Sequence, residues 1–537
     1  MGFSGISNTK RAKGLLKASV LAFAATAMMQ APVVQADDNV LTVNMHSDLK
    51  IVDPIWTTAY MSRNYGYMVY DTLFAMNTKG EVLPQMVDTF EIAEDGLTYD
   101  FTLRDGLLFH DDAPVTSEDV IASLKRWGEK DAMGQKMMTF VAEMTATGDN
   151  SFQFKLNEPT GLILQALGKP SSNVPFIMPA RIAATPPGDQ ITEYVGSGPY
   201  IFLQDEWKPG DKAEFAKFEK YVPRDEPGDG LAGGKVVHVD KVVWKVIRDQ
   251  QTKMNALSKG EIDVIESPAH DLLPLMEEDP NIQLVDLNPF GNQYTFRFNQ
   301  LHPPFDDPKV RQALLYAFDQ EEFLYAAIGD EKYFKTCKAM FICGTPIASE
   351  VGFEDKLQGN VARAKELIAE SGYDGTPLVL MHPTDLAVLE PLPPVAKDIM
   401  EKIGLVVDMQ AMDWQTLVGR RNKQEKPDEG GWNAFITSWN SVDNASPLTT
   451  PFLNAACDQA LFGWPCDDEI QSLRDDFSRE PDAGKQLELV EKLQTRVSES
   501  PTHVHLGQWY QPHAMGQNIS GAPVSPVPAF WGYKKGE

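Results

Sequence analysis

Between residues 238 and 414 the sequence keeps exchanging one hydrophobic period for another. "HVDKVVWKVI" sets Val239, Val242, Trp244 and Val246 in a strand-like run, and "QQTKMNALSKGEIDVIE" follows as a helix, a break at Gly260 and a short strand. "PFDDPKVRQALLYAFDQEEFL" puts Val310, Leu314, Ala317 and Phe318 on one helical face, with Asp307 and Pro308 as its start signal. A helix "NVARAKELIAESGY" ends at Gly372. The strand "TPLVLMH", the Pro-rich loop "LEPLPP", the helix "VAKDIMEKIG" and the strand "LVVDMQAMDW" come after it. Strands alternating with helices predict an α/β layered domain.

The upstream part reads differently. "LTVNM" is a strand by its period of two, and "YGYMVYDTLF" carries apolar residues at helical spacing. Tyr99, Phe101 and Leu103 alternate with polar residues, and Phe152, Phe154 and Leu156 repeat the pattern. Between them, "APVTSEDVIASLKRW" is a helix with Thr116 as N-cap and Glu118 and Asp119 in the first turn. His110, Asp111 and Asp112 stand just before it. Without a second histidine or cysteine at ligand spacing, the trio is a turn leading into a helix cap. "VGSGPY" is a Gly/Pro turn and lacks the G-x-S-x-G pattern, so Ser197 is not a nucleophile-elbow serine. The segments 224–234 and 422–431 are expected to be flexible insertions.

The first 36 residues hold Lys10, Arg11, Lys13 and Lys17, then an apolar run over 18–29, then "VVQA". This is a secretory signal with a cut after Ala36; an uncleaved anchor is the alternative, and no cysteine stands near the cut to take a lipid. Hydrophobic residues are 43% and the formal charge is −28, so nucleic acid and anionic lipid are excluded as partners. The cysteines are Cys337, Cys343, Cys457 and Cys466. Export favours disulfides, and the local pairs Cys337–Cys343 and Cys457–Cys466 close the shortest loops; the spacings are wide for a thiolate zinc site. In "THVHLGQWYQPH", His503 and His505 share a strand face with His513 close behind. That set is the metal alternative, for zinc or nickel.

Seven segments in order, "YDTLF", "GLTYDFTLRDGLLFHDDAPVTSEDVIASLKRW", "VGSGPYIF", "KGEIDVIE", "PPFDDPKVRQALLYAFD", "ARAKELIAESGY" and "SWNSVDNASP", resemble the extracellular solute-binding proteins of the peptide/nickel/oligopeptide type (family 5), which serve ABC transporters. The resemblance implies a periplasmic-binding-protein type II-like fold of two lobes with a subdomain inserted in the first. Lobe one would be 37–83, 195–289 and 508–537, the insert 84–194, and lobe two 290–507.

The resemblance also implies the function. A monomeric periplasmic protein without cofactor captures a peptide or peptide-like solute by lobe closure and delivers it to inner-membrane permease subunits. A metal-chelate or other cationic solute is the alternative within the family, and a secreted hydrolase the alternative outside it. By its place in "SWNSVDNASP", Asp443 aligns with the aspartate that captures a peptide's α-amino group, with one more residue after Trp439 than the family pattern has. Trp439 and Asn440 flank it as candidate ligand contacts, and Tyr60 and Asn64 are candidates from lobe one. Dipeptide binders hold the ligand carboxylate with an arginine soon after a strand like "LVLMH". Here "MHPTDLAVLEP" offers His382 and Asp385 instead, which puts a plain dipeptide in doubt.

Overall fold

In the computed structural model, which describes residues 39–480 and 482–536, three sheets organise the chain. The signal segment read over 1–36 lies outside the described residues. The first sheet has seven strands in the spatial order Tyr200–Phe202, Lys212–Lys217, Lys241–Lys245, Val40–Asn44, Val264–Ile265, His513–Gly516 and Ile282–Val285. Val40–Asn44 runs parallel to both of its neighbours. The second sheet has six strands: Phe334–Lys335, His503–Trp509, Asn292–Phe298, Ala434–Asn440, Leu378–Pro383 and Val407–Met412, the last three mutually parallel. A four-stranded antiparallel sheet, Val87–Ile92, Thr98–Leu103, Ser151–Leu156 and Val141–Gly148, is spliced into the chain between strands of the first sheet. This is the two-lobe α/β fold with an added layer in the first lobe. The chain crosses between the two large sheets at 286–291 and 510–512.

The crossings touch. Gly291 has φ +69°, and a Cβ there would stand 2.6 Å from the Trp509 carbonyl oxygen. Only glycine takes that conformation at that approach without displacing the second crossing. Beside it the Trp509 ring stacks on Tyr294 at 5.0 Å.

Four local outcomes differ from the sequence reading. The helix expected from "YGYMVYDTLF" starts earlier and stops earlier, at Tyr60–Val69, because the next residues pair as Asp71–Thr72 with Phe176–Ile177. The run 308–324 is two helices, Pro308–Ala317 and Gln320–Ala327. Phe318 is extended, and Asp319 begins the second helix by accepting the Glu321 N–H at 2.9 Å. The loop expected at "LEPLPP" is already the first turn of the helix Leu392–Lys402, where proline lacks only an N–H that has no intrahelical partner anyway. The segment 224–234 is pinned rather than free, since Arg224 donates to the Gln85 and Val87 carbonyls.

The polar trio is structural. The His110 Nε2 lies 3.0 Å from the Gly198 carbonyl, and Nδ1 accepts the Gly196 N–H at 3.4 Å. Burial holds the imidazole at about 4, so the ring is neutral. Asp111 and Asp112 pair with Arg181 and Lys220 at the surface, and Thr116 forms a capping box with Asp119. "VGSG" is glycine-rich because its backbone lies against that of 68–70, where any Cβ at Gly196 or Gly198 would overlap main-chain atoms.

Both local disulfides, Cys337–Cys343 and Cys457–Cys466, are present. Inside the first lobe Arg126 forks onto Asp53 at 3.1 and 2.7 Å, both side chains 1% exposed, and Asp53 also accepts the N–H groups of Ile55, Trp56 and Ile191. No described helix is long and apolar enough to cross a membrane.

Candidate functional site

Both large sheets point the carboxyl ends of parallel strands at one cavity of about 140 Å³. Open α/β sheets bind ligands there, because the chain leaves those ends in loops with free backbone and side-chain groups. From the first lobe, Val40–Asn44 delivers His46 and its neighbour Val264–Ile265 delivers Glu266. From the second, Leu378–Pro383 leads to Leu386, Val388 and Leu389, Val407–Met412 leads to Trp414, and Ala434–Asn440 ends in Trp439 and Asn440. The crossings supply Asn288 and Gln511, so the wall is built from both lobes and the joint between them.

The cavity is apolar with a few fixed charges, the usual make-up of a small-molecule site. Glu266 accepts the His46 backbone N–H at 2.8 Å and sits 2.8 Å from His46 Nδ1. Burial raises its pKa, but the pull of His46 and His513 wins and leaves the carboxyl at about 2. Arg63 stacks on the Tyr60 ring at 3.9 Å and donates to Asn64 Oδ1 and Ser171 Oγ. Arg421 is 3% exposed, and among the described residues its side chain makes one hydrogen bond, from Nη2 to Thr58 Oγ1 at 3.1 Å.

Of the residues expected from sequence, Tyr60, Trp439 and Asn440 line the cavity. Asp443 and Asn64 lie behind its wall. Asp443 is 1% exposed and accepts from the Tyr60 hydroxyl at 2.6 Å and from Ser171 Oγ at 3.0 Å. Burial raises its pKa against those partners and the nearby Arg63 and Lys169. Asn64 supports Glu266 at 3.4 Å. His382 and Asp385 are outside. The His382 ring meets the Glu390 carbonyl, and the exposed Asp385 accepts the Trp414 N–H at 2.7 Å, tying its loop to the next helix.

The histidine set does not converge. His503 and His505 are buried in the second lobe against Phe452 and Phe353, and His513 lines the cavity from the first-lobe sheet. Among the described residues no group of three or more His, Cys, Asp or Glu side chains is arranged to hold a metal.

The sequence reading missed His46, Arg63, Glu266, Trp414 and Arg421. Glu266 was visible as the last residue of "KGEIDVIE", at the end of a strand. Arg421 had no signal, because it follows a helix rather than the strand where a ligand arginine was sought.

Two lobes joined by two crossings around a shared cavity define the two-lobed class of solute-binding protein. The sequence profile of the bacterial extracellular solute-binding proteins, family 5 middle region, matches residues 81–459, and the chain belongs to this family. A probable peptide ABC transporter periplasmic-binding protein, y4tO of Sinorhizobium fredii (strain NGR234), is 37% identical over 530 residues, 97% of this chain and 99% of that relative. The oligopeptide-binding protein AppA of Bacillus subtilis, solved with a nonapeptide, superposes with a TM-score of 0.77 at 21% identity, covering 93% of this chain and 99% of that one. The binding protein AgaA of Agrobacterium tumefaciens R10, solved with agropinic acid, gives 0.75 at 21% identity and the same coverage. The chain is accordingly the solute-binding component of an ABC transport system.

Proposed function

We infer that this chain captures a small peptide or peptide-like solute in the periplasm, closes its lobes over it and presents the closed form to a membrane permease, as a monomer and without chemical turnover. The single observation that carries this reading is the cavity itself, whose wall is complete only when both lobes contribute. A solute touching Glu266 on one side and Trp439 on the other favours the closed form by its differential affinity. Three tryptophans on the wall, Trp414, Trp439 and Trp509, give flat apolar area to hold it. The relatives named for peptides support a peptide-like solute. The basic and then apolar first 36 residues, ending in "VVQA", support export with cleavage near Ala36. We assign the hinge to 286–291 and 510–512, with 39–83, 195–285 and 513–536 in lobe one, 84–194 as its inserted subdomain and 292–509 in lobe two.

The test is mass spectrometry of small molecules released by denaturing protein purified from the periplasm. A retained solute containing amide or amino-acid groups supports the reading. A retained metal or sugar, or catalytic consumption of an added solute, contradicts it.

A further inference from the structure

One face of the second-lobe sheet is polar although it is buried. Thr295 and Arg297 stand on it in one strand, with Thr437 on one side and His503 and His505 on the other. Arg297 is 0% exposed, and among the described residues its side chain makes one hydrogen bond, from Nη2 to the Phe462 carbonyl at 2.8 Å. Its Nε and Nη1 have no partner among those residues, nor have His503 Nε2 and Thr295 Oγ1. The chain carries 76 acidic residues against 48 basic ones, yet no described acid pairs with this arginine. From these groups we propose that the second lobe holds a small monovalent inorganic anion, a halide, between the Arg297 guanidinium and the His503 imidazole. The site lies inside the lobe, behind the solute cavity, to whose wall Arg297 does not contribute.

Arg297 and His503 are cross-strand partners and share one neighbour. The guanidinium carbon is 5.0 Å from the centre of the Phe452 ring, and the imidazole centre is 4.3 Å from it. Burial, with His505 and Arg297 nearby, holds His503 well below the ordinary imidazole range, so the ring is neutral. Its Nδ1 lies 2.9 Å from the Thr502 hydroxyl. With that hydroxyl donating, Nε2 carries the ring proton and is a donor. Burial and Arg421 lower Arg297 to about 9, which leaves it charged at neutral pH. Three nitrogens on two adjacent side chains are thus donors without an acceptor. Water can accept such bonds but brings no counter-charge, and a buried cation without one is costly. A second cation stands close by. The Arg421 guanidinium lies 4.2 Å over the Phe462 ring, and the Arg297 guanidinium lies 5.2 Å from the centre of that same ring. The ring faces attract both cations, but only an anion neutralises them. Phe452 and Phe462 cover the corner and offer no donors. That cover suits a compact ion better than a carboxylate or phosphate, whose several oxygens would each need a partner. Part of the cover is the loop closed by Cys457–Cys466. It sits directly on the arginine, since a Cβ at Gly463 would stand 3.4 Å from Arg297 Nη2.

The full mature protein is unfolded in urea and refolded in gluconate, which removes halide. Thermal unfolding is then followed as chloride or bromide replaces gluconate at constant ionic strength, for wild type, Arg297→Met and His503→Phe. We expect the wild-type midpoint to climb by about 2 °C or more and then level off, as a single site requires. Arg297→Met should ignore halide and melt at or above halide-free wild type, because it removes the buried charge together with the site. His503→Phe should keep the response but need about tenfold more halide, having lost one hydrogen bond to a charged group. Wild-type crystals soaked in bromide should give an anomalous peak within hydrogen-bond distance of Arg297 and His503, a readout that needs no variant to fold. A midpoint equal in gluconate and halide, a rise that never levels off, or a rise that Arg297→Met retains overturns the site. Bromide at the surface alone overturns it too. A peak at Arg297 with an unmoved midpoint marks an adventitious ion only, and equally overturns it. The solute-binding reading stands under every one of these outcomes.

Discussion

The Tyr60 hydroxyl of the first lobe donates a 2.6 Å hydrogen bond to the Asp443 carboxylate of the second, and the same oxygen accepts the Asn440 backbone N–H. One phenol thus ties two groups of the opposite lobe. Ser171 adds a third strand to the knot, Lys50 to Asp413 adds an exposed tie and Gln415 to Ser47 a half-buried one. The residue expected to hold a solute's amine is therefore a fastening between the lobes.

Tyr60→Phe removes the fastening and leaves the ring. A hydrogen bond to a charged group is worth about 1.5–3 kcal/mol, so solute affinity should fall by about tenfold or more through a less stable closed form. Calorimetry on the retained solute checks it, and unchanged affinity would show the tie to be incidental.

Arg126→Met strands Asp53 in the first-lobe core, where both side chains are 1% exposed. Breaking a buried pair costs about 3–5 kcal/mol. Urea unfolding should show that loss, and a loss near zero would mean that Asp53 is satisfied by its backbone N–H partners alone.

Acid should unfold the protein in a defined window. Burial holds both His110 and His505 at about 4 in the folded chain, against about 6.5 unfolded. A depressed folded value means that the unfolded chain binds the proton more readily. The stabilisation is complete above pH 6.5 and is lost as pH falls through 4, on the order of 3 kcal/mol for each ring. His110→Gln keeps a donor for the Gly198 carbonyl and should flatten the urea midpoint between pH 6.5 and 4. An unaltered profile would remove His110 from the account.

Replacing Cys457 and Cys466 by serine opens a short loop beside the second-lobe strands. The chain-entropy estimate is about 2–3 kcal/mol. Thermal unfolding should show a lower midpoint than wild type, and wild-type protein with reductant should move toward it.

The layered α/β architecture was legible because it rests on local periods, and turn chemistry explained the His110 to Asp112 segment. Helix ends were less so. The break at Phe318 depends on a cap by Asp319 inside a run whose apolar spacing never falters. The cavity was half legible. Tyr60, Trp439 and Asn440 sit where motif order implied, whereas Glu266 and His46 come from distant stretches that strand pairing brings to one wall, and Arg421 follows a helix of the opposite lobe. Asp443 shows the limit most clearly. Its position in the motif gave no sign that a tyrosine far away in sequence would take its carboxylate.

The central claim is closure of two lobes over a guest, and small-angle scattering tests it most directly. Protein stripped of retained solute by mild denaturation and refolding is measured, the released solute is added back, and the curve is taken again. The account predicts a larger radius of gyration for the stripped protein and a return to the compact value on addition. Identical curves in the two states, with binding confirmed by calorimetry, would contradict it.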